Sequence, residues 1–493
     1  MSQISISNLT FSYEGSYDDI FTDVSFQIDT DWKLGFCGRN GRGKTTFLKL
    51  LRGHYEYRGS ISASVDFEYF PFHVENPSQD TLDILTAIAP DAQQWQIQKE
   101  LFKLSVDESA LYRPFSTLSN GEQTKALLAG LFLRENNFLL IDEPTNHLDM
   151  AARETVARYL NGKTGFIVVS HDRAFLDECV DHVLSINKAN IEIQKGNFSS
   201  WFYNKRMRDE YENSENERLK KDISRLETAA KRTASWSDKV EKSKYHPLQS
   251  GLSADRGYIG HKAAKMMKRS KSAERRIGNA AEEKSKLLKN IETAEDLKIH
   301  PLKYHTSRLL SFLDVSISYD GREILRDLNF SIEQGERLAL LGKNGSGKSS
   351  VIKLICGESI PHTGRLELGS RLVLSYVPQD ASFLMGDLSE YAHRQGIDET
   401  LFKTILRKLD FSRIQFEKDM RDYSAGQKKK VLIARSLCEQ AHLYIWDEPL
   451  NYIDILSRIQ IEELITAYRP TMIFVEHDRT FCSNISTKTV ELR

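Results

Sequence analysis

Two glycine-rich segments have residue types and spacing suited to binding phosphate. Residues 38–46 read GRNGRGKTT and residues 342–350 read GKNGSGKSS. Glycines let backbone N–H groups surround phosphate oxygens without a clash from Cβ, and the lysine adds a positive charge for the β- and γ-phosphates. The hydroxyl group after the lysine can ligate Mg²⁺. The candidate nucleotide-binding residues are Gly38, Asn40, Gly41, Gly43, Lys44, Thr45 and Thr46, and in the second segment Gly342, Asn344, Gly345, Gly347, Lys348, Ser349 and Ser350.

Two adjacent carboxylates follow an apolar run in each half of the chain. Residues 138–141 read FLLI before Asp142 and Glu143, and residues 443–446 read LYIW before Asp447 and Glu448. An aspartate at a strand end can hold Mg²⁺ or a water bound to it, while the neighbouring glutamate polarises an attacking water. This pattern predicts hydrolysis of a nucleoside triphosphate, with Glu143 and Glu448 as general bases. The candidate magnesium ligands are Thr45, Asp142, Ser349 and Asp447.

The flanking sequence predicts the strands and helices that position the glycine-rich segments and the carboxylates. Residues 33–37 read KLGFC, an apolar run typical of a buried strand, and lead directly into the first glycine-rich segment. Residues 47–51 then read as a helix. A strand before the loop and a helix after it are the context in which a phosphate-binding loop is credible. We therefore expect an α/β fold.

Every one of these motifs occurs twice. The second copy of each lies about 305 residues after the first, and this offset also relates His171 to His477, each of which ends a further apolar run. A nearly constant offset across a whole domain indicates a duplicated domain.

In their order, the motifs resemble those of the ABC-type ATPase domain. The signature-like sequences are LSNGEQ at 118–123 and YSAGQK at 423–428, and the D-loops are NHLD at 146–149 and NYID at 451–454. The resemblance implies a head-to-tail pair, in which each ATP lies between one half's glycine-rich loop and the other half's signature. Lys44 would then face Ser424 and Gly426, while Lys348 would face Ser119 and Gly121.

The same resemblance implies roles for further residues. His171 and His477 would contact the γ-phosphate and the attacking water, and Gln379 would contact Mg²⁺. Tyr13 and Tyr319 would stack on adenine, although packing in a hydrophobic core is an open alternative for both. The signature residues expected to contact nucleotide are Ser119, Gly121, Glu122, Ser424, Gly426 and Gln427.

The two copies differ in ways that concern one ATP site. Phe72 stands where the second copy has Gln379, and Tyr423 and Ala425 depart from the Leu and Gly usual in the signature. These departures fall on the composite site built on Lys44. We therefore expect that site to turn over more slowly, although Glu143 argues against complete inactivity.

A long charged segment, residues 204–304, separates the two copies. Two apolar stripes at helical spacing, separated by Pro247 and Gly251, predict an antiparallel helical hairpin with its tip at about 245–260. The expected domains are an ABC ATPase domain at 1–200, the hairpin linker at 201–305 and a second ABC ATPase domain at 306–493. The fold class is thus α/β, with two P-loop ABC-type ATPase domains joined by a long antiparallel helical hairpin. The net charge of −1 limits nucleic-acid binding to a local patch, and such a basic, aromatic patch lies near the tip.

Composition places the chain among proteins of the cytoplasm. No apolar run reaches the roughly 20 residues that a membrane helix needs, and no secretory signal opens the chain. The five cysteines are scattered and lack metal-type spacing, as expected in a reducing compartment.

Two ATPase domains with a hairpin between them and no membrane segment resemble the ABC-F group. The sequences DRGYIGHKAAKMMKR at 255–269, near the tip, and DEPLNYID at 447–454 are similar to those of its Lsa-type antibiotic-resistance branch. This implies a monomer with intramolecular ATPase pairing, no obligate protein subunit, and ATP and Mg²⁺ as cofactors. It also implies binding to the 70S ribosome at the exit-tRNA site, near the P-site tRNA and the 23S rRNA of the peptidyl-transferase centre. Lys244, Tyr245 and Tyr258 would lie nearest the site of lincosamides, streptogramins A and pleuromutilins.

Three other functions share the ATPase motifs. A housekeeping translation factor would act on ribosomes without any drug. The energy subunit of a drug exporter would need a separate membrane protein and would leave the basic hairpin without a role. A DNA-binding ATPase would bind duplexes rather than ribosomes.

Overall fold

The computed structural model describes residues 2–14, 19–146, 148–187, 190–242, 297–319, 322–343 and 345–492, with seven single positions between 265 and 279. By spatial proximity the chain divides into two compact units, Met1–Trp201 with Ala294–Arg493, and Phe202–Thr293. The first unit contains both ATPase domains. The domain limits at 200 and 305 remain a prediction.

The first ATPase domain contains two sheets. An antiparallel sheet has the strand order β2-β1-β4, and a largely parallel sheet has the order β5-β6-β7-β3-β8-β9. Its strands are β1 (Gln3–Phe11), β2 (Phe21–Asp29), β3 (Lys33–Cys37), β4 (Arg58–Ser62), β5 (Asp66–Phe70), β6 (Asn137–Asp142), β7 (Phe166–Val169), β8 (His182–Asn187) and β9 (Asn190–Lys195). Its helices are α1 (Lys44–Leu51), α2 (Thr81–Ile88), α3 (Gln94–Lys103), α4 (Asn120–Leu131), α5 (Met150–Asn161) and α6 (Arg173–Cys179), with short 3₁₀ turns at Glu108–Tyr112 and Phe115–Thr117.

The second ATPase domain repeats this plan. Its antiparallel sheet has the order β11-β10-β13, and its parallel sheet has the order β14-β15-β16-β12-β17. The strands are β10 (Arg308–Tyr319), β11 (Arg322–Glu333), β12 (Arg337–Leu341), β13 (His362–Leu368), β14 (Leu374–Val377), β15 (Leu443–Asp447), β16 (Met472–Val475) and β17 (Lys488–Glu491). After α7 (Phe198–Lys242), the helices are α8 (Lys348–Ile355), α9 (Leu388–Gln395), α10 (Glu399–Lys408), α11 (Arg413–Phe416), α12 (Ala425–Cys438), α13 (Ile455–Tyr468) and α14 (Arg479–Ile485), with a 3₁₀ turn at Met420–Asp422. The expected α/β fold with two ATPase domains is confirmed.

The parallel sheets bring the predicted chemical groups to one edge. The apolar runs of β6 and β15 are buried on both faces, as expected for central parallel strands. In register, Asp142 lies opposite Val169 at the end of β7, and Asp447 lies opposite Val475 at the end of β16. Because the carboxyl ends of parallel strands meet at one edge, the loops after them bring the candidate base, histidine and phosphate-binding loop together.

The linker contains a long helix, α7, of 45 residues. At 1.5 Å per residue it extends about 68 Å. Leu219 and Ile223, four residues apart on this helix, are half-buried, and Lys205 and Asp209 form an ion pair one turn apart. The predicted tip residues Lys244, Tyr245 and Tyr258 lie outside the described residues. In the part of the chain that the structure describes, no helix is long and apolar enough to cross a membrane.

Candidate active site

The two phosphate-binding loops depend on glycine at the residue before the helix. Gly43 and Gly347 cap α1 and α8 with φ angles of 94° and 87°, in the left-handed region. A Cβ on Gly43 would lie 2.6 Å from Ile20 Cγ2, closer than side chains pack. Glycine at position 43 therefore permits both the left-handed backbone conformation and the close approach of Ile20, which lies directly before β2.

The lysine of each loop folds back over its own loop. Lys44 Nζ donates to the Gly38 carbonyl at 2.7 Å, and Lys348 Nζ donates to the Gly342 carbonyl at 2.8 Å. Burial lowers the pKa of both lysines, while nearby carboxylates oppose this shift. Each ammonium group is thus held inside a glycine-rich loop, as phosphate binding requires.

The predicted magnesium ligands lie together in each half. Thr45 Oγ1 donates to Asp142 Oδ2 at 2.9 Å, and in the second half the Ser349 hydroxyl hydrogen-bonds Asp447. Burial raises the pKa of Asp447 to about 6, and its Oδ1 atom has no hydrogen-bond partner among the described residues. A buried carboxylate oxygen without a partner fits a cation ligand.

Magnesium would be held by one hydroxyl and one carboxylate from the protein in each half. The described part of the chain contains no cluster of three or more His, Cys, Asp or Glu side chains suited to a metal. Gln379, expected to contact Mg²⁺, lines the same cavity as Ser349. Bound there, Mg²⁺ would neutralise charge on the phosphates. The residues that would hold it are Thr45 with Asp142, and Ser349 with Asp447 and Gln379.

Both candidate general bases have a strained backbone. Glu143 and Glu448 have φ angles of 52° and 48°, which residues with a Cβ seldom adopt. Each glutamate contacts the histidine after the next strand: His171 Nε2 lies 3.1 Å from Glu143 Oε1, and His477 Nε2 lies 3.5 Å from Glu448 Oε1. Strain retained at equivalent positions of both halves indicates a functional geometry.

The two glutamates differ in acidity. Burial and the charge of Asp142 raise the pKa of Glu143 to about 8, although Lys44 opposes this shift. For Glu448, burial is outweighed by hydrogen bonds from His477 and Gln379, which lower its pKa below the usual range. The lowered pKa favours the ionised form of Glu448, which a general base requires, whereas the raised pKa of Glu143 favours its protonated form.

The signature residues form helix N-termini. Ser119 caps α4 and Ser424 caps α12, and each serine side chain accepts a hydrogen bond from the backbone N–H three residues later. The Glu122 and Gln427 side chains accept hydrogen bonds from the backbone N–H of Ser119 and Ser424 at 2.8 and 2.9 Å. Both thus complete capping boxes, which present helix N-termini suited to anionic phosphate.

One composite site forms a cavity between the two ATPase domains. This cavity, of about 1380 Å³, is lined by Lys348 and Ser349 of the second domain and by Ser119 and Gly121 of the first. Glu448, His477, Gln379 and Tyr319 also line it. The structure thus brings a glycine-rich loop together with the signature of the opposite half, the arrangement expected for a head-to-tail pair.

At the other composite site, the two domains are in direct contact. The Asn40 side chain donates to the Tyr452 carbonyl at 2.7 Å, and a Cβ on Gly426 would lie 3.2 Å from Asn40 Nδ2. Arg39 and Arg42 each approach Asp410 of the second domain, at 3.7 and 3.9 Å. The first glycine-rich loop therefore packs against the second domain's signature and D-loop.

Charged contacts join the domains away from both glycine-rich loops. Arg479 Nη1 donates to Glu154 Oε1 at 2.8 Å, and Arg173 pairs with Glu462. Arg153 donates to the His477 carbonyl at 3.3 Å as well as to Asp172. The helices that follow the D-loops, α5 and α13, thus contact the helices that follow His477 and His171, α14 and α6, across the interface between the two ATPase domains.

The two predicted adenine-stacking tyrosines lie beside the phosphate-binding helices. Tyr13 hydroxyl is 2.8 Å from Thr46 Oγ1, and the Tyr319 hydroxyl donates to Ser350 Oγ at 3.1 Å. Their side chains are 42% and 40% exposed, which leaves ring surface accessible. This placement fits a stacking role better than the alternative of core packing.

Some contacts in the site were not predicted. Tyr69 donates to Asp142 Oδ2 at 3.0 Å, and Lys429 lies buried behind Glu448. The first could not be read from a motif, because it joins residues 73 positions apart. The sequence did indicate that Lys429 is unusual: residues 428–430, at the end of the second signature, are three lysines, where the first copy reads QTK.

Comparison with known proteins identifies the domains. The family model described as ABC transporter matches residues 21–146 and 325–451, together just over half of the chain. Full-length relatives include the ribosome protection protein VmlR of Bacillus subtilis (strain 168), 26% identical over 95% of this chain and 83% of its own length. Another is ABC transporter F family member 5 of Arabidopsis thaliana, 25% identical over 100% of this chain and 75% of its own length.

A solved structure shares the fold. The archaeal ribosome recycling factor aABCE1, in complex with the ribosomal stalk protein aP1, matches with a TM-score of 0.63 and 18% identity, covering 98% of this chain and 87% of that one. Its likeness concerns the tandem arrangement of two ATPase domains. On the matched segments and the geometry of the two ATP sites, the chain belongs to the ABC transporter family of ATPases, with ABC-F proteins among its full-length relatives.

Proposed function

We propose that this ATPase binds the ribosome and uses ATP to displace antibiotics from the peptidyl-transferase centre. The linker would enter the exit-tRNA site beside the P-site tRNA, and its tip would approach the 23S rRNA where lincosamides, streptogramins A and pleuromutilins bind. Lys244, Tyr245 and Tyr258 would act there. The ribosome is a cytoplasmic partner, and the reaction would need no further protein subunit.

The observation that carries this proposal is the linker helix α7. A helix of 45 residues is far longer than a connection between two packed domains requires. Near its start, Tyr203, Met207 and Tyr211 follow one another at four-residue spacing, with 64%, 50% and 66% of their side chains exposed. Exposed aromatic rings on one helix face can stack on unpaired bases, which supports an RNA partner.

The ATP sites provide a reason for ATP dependence. Both composite sites contain groups from the two domains, so a γ-phosphate bound there contacts both at once. ATP binding would hold the domains together, and hydrolysis would release them. The ends of the linker contact different domains: the Ser199 backbone N–H donates to Asp177 of the first at 2.7 Å, and Leu297 and Ile299 belong to a core cluster of the second. Domain movement would therefore act on the linker.

Similarity to VmlR, named a ribosome protection protein, supports the antibiotic-related part of the proposal because it extends over 95% of this chain. A housekeeping translation factor is the second candidate. It is favoured by relatives of equal similarity whose names specify only ATP binding, such as the ATP-binding protein Uup of Buchnera aphidicola subsp. Acyrthosiphon pisum (strain APS), 27% identical over 99% of this chain and 80% of its own length.

Co-sedimentation with 70S ribosomes tests the partner. The Glu143→Gln/Glu448→Gln double variant should hydrolyse ATP too slowly to open, so it should sediment with ribosomes in ATP and remain in the supernatant in ADP. A matched variant with Lys44→Ala and Lys348→Ala added should not sediment, because neither loop would retain ATP. Failure of the double variant to sediment with ribosomes in ATP would overturn the proposal. Sedimentation with duplex DNA instead would indicate the DNA-binding alternative.

A further inference from the structure

We propose that Lys429 is a positioning residue of the second ATP site, which ties the loop carrying Gln379 to the strand end carrying Glu448. The proposal rests on the ATPase activity alone and is independent of any role on the ribosome. Lys429 lies on α12, five residues after the capping serine of the signature, and faces its own domain's catalytic carboxylates. Its side chain is 3% exposed.

The ammonium group of Lys429 bridges two separate chain segments. Its Nζ donates to the Pro378 carbonyl at 3.0 Å, directly before Gln379, and to the Glu448 carbonyl at 3.0 Å. The Asp447 carbonyl lies 3.5 Å from the same atom. Three donors on one ammonium can satisfy several backbone acceptors, so one side chain fixes both segments at a defined separation.

This bridge sets the geometry of the candidate base. On the other side of the two segments, Gln379 Nε2 donates to Glu448 Oε2 at 2.9 Å, and Asn451 Nδ2 donates to the same oxygen at 2.6 Å. Glu448 also has a left-handed backbone, which persists only where surrounding contacts hold it. Lys429 provides such a contact at the carbonyl of this residue.

Burying the ammonium group of Lys429 between two segments is unfavourable in free energy, because the charged group loses its hydration. Burial lowers the pKa of Lys429, and the nearby carboxylates of Glu476, Asp447 and Glu448 oppose that shift. The ammonium group is therefore retained in an environment of carbonyl and carboxylate oxygens. Hydrophobic packing of α12 alone would not require a charged group here.

Among the residues that the structure describes, the first ATP site lacks such a bridge. Thr124 occupies the position of Lys429 in α4, and its short side chain carries a single hydroxyl group. Phe72 replaces the glutamine that the bridge would position. Asp142 instead receives a hydrogen bond from Tyr69. The Lys429 bridge therefore belongs to the second site and should affect only its turnover.

The test measures ribosome-free ATP hydrolysis with one site silenced. Lys429→Met keeps a flexible, unbranched side chain only one atom shorter and removes the donors, and it would be combined with Glu143→Gln or with Glu448→Gln. With Glu143→Gln, where the second site operates, we expect kcat to fall about tenfold and KM for ATP to change less than about twofold, as for a lost positioning contact. With Glu448→Gln, the residual rate should not change.

Thr124→Met is the matched control at the equivalent position, and it should leave the rate with Glu143→Gln unchanged. Equal slowing of both backgrounds by Lys429→Met would show a general structural role and overturn the proposal, as would an unchanged kcat with Glu143→Gln. If Lys429→Met does not fold, Lys429→Gln, which keeps an N–H donor on a shorter side chain, would be compared in the same two backgrounds with the same criteria.

Discussion

Gln379 Nε2 donates a hydrogen bond to Glu448 Oε2 at 2.9 Å, so the loop after β14 contacts the candidate general base of the second domain. In the first domain Phe72 holds the place of Gln379, and a phenyl ring cannot donate a hydrogen bond. The two ATP sites of this chain are therefore chemically different. The second has a hydrogen-bonded glutamate with a lowered pKa, and the first has a buried glutamate whose pKa is raised to about 8.

Replacing Glu143 and Glu448 one at a time should show that the two ATP sites contribute unequally to turnover. We expect Glu143→Gln to retain at least about half of wild-type ATP turnover, because the second site, which contains Gln379 and Glu448, remains active. Glu448→Gln should lower turnover about tenfold or more, as for loss of a general base. Steady-state phosphate release from purified protein measures both. Equal losses in the two variants would show that the sites contribute alike.

Supplying the absent amide should accelerate the slower site. Phe72→Gln places a donor and acceptor where Gln379 stands in the second copy, and turnover measured with Glu448→Gln should rise about threefold or more. Phe72→Leu, which adds no polar group, is the matched control and should not raise the rate. If Phe72→Gln and Phe72→Leu behave alike, the slow turnover of the first site has a different cause.

The acidity of Glu143 predicts a pH dependence confined to one site. Its pKa is raised to about 8, so the ionised, proton-accepting form increases as pH rises through that value. Turnover with Glu448→Gln should therefore rise about tenfold between pH 7 and pH 9. With Glu143→Gln it should stay nearly constant, because the pKa of Glu448 is lowered and this carboxylate is already ionised. A flat profile for Glu448→Gln would contradict the assignment.

The close contact at Gly426 predicts an effect on domain closure. Gly426→Ala would place a Cβ 2.4 Å from the Tyr452 carbonyl of the same domain and 3.2 Å from Asn40 Nδ2 of the first domain, so it would disturb the hydrogen bond from Asn40 to Tyr452 that joins the two domains at the first site. At Gly121 a Cβ would meet only Leu148 Cδ2 at 3.5 Å, an ordinary contact. In the double Glu→Gln background, ATP retained after gel filtration should fall by about one molecule per chain with Gly426→Ala, and by less with Gly121→Ala. A larger loss with Gly121→Ala would contradict this account of the interface.

Local motifs made much of the site predictable. Lys44, Asp142 and Glu143 lie in segments whose pattern specifies a loop or a strand end, and the parallel sheet brings such ends together. The near-constant offset between copies then extended each assignment to the second domain. The α/β fold and the ATPase activity were predictable for this reason.

Contacts between distant residues were not predictable in the same way. Asn40 meets Tyr452 across 412 positions, and the pKa of Glu143 depends on burial as well as on neighbours from both domains. The roles of Glu122 and Gln427 in capping boxes depend on backbone geometry, which a signature motif does not specify. Tyr258 and the rest of the predicted tip lie outside the described residues and stay a prediction.

The most direct measurement of ribosome protection is growth of a drug-susceptible bacterium expressing this protein in the presence of a lincosamide, a pleuromutilin or a macrolide. We expect resistance to the lincosamide and the pleuromutilin that disappears in the Glu143→Gln/Glu448→Gln variant and in Tyr258→Ala. Unchanged susceptibility to these two drugs, with the double Glu→Gln variant still bound to ribosomes in ATP, would contradict ribosome protection and indicate a housekeeping translation factor.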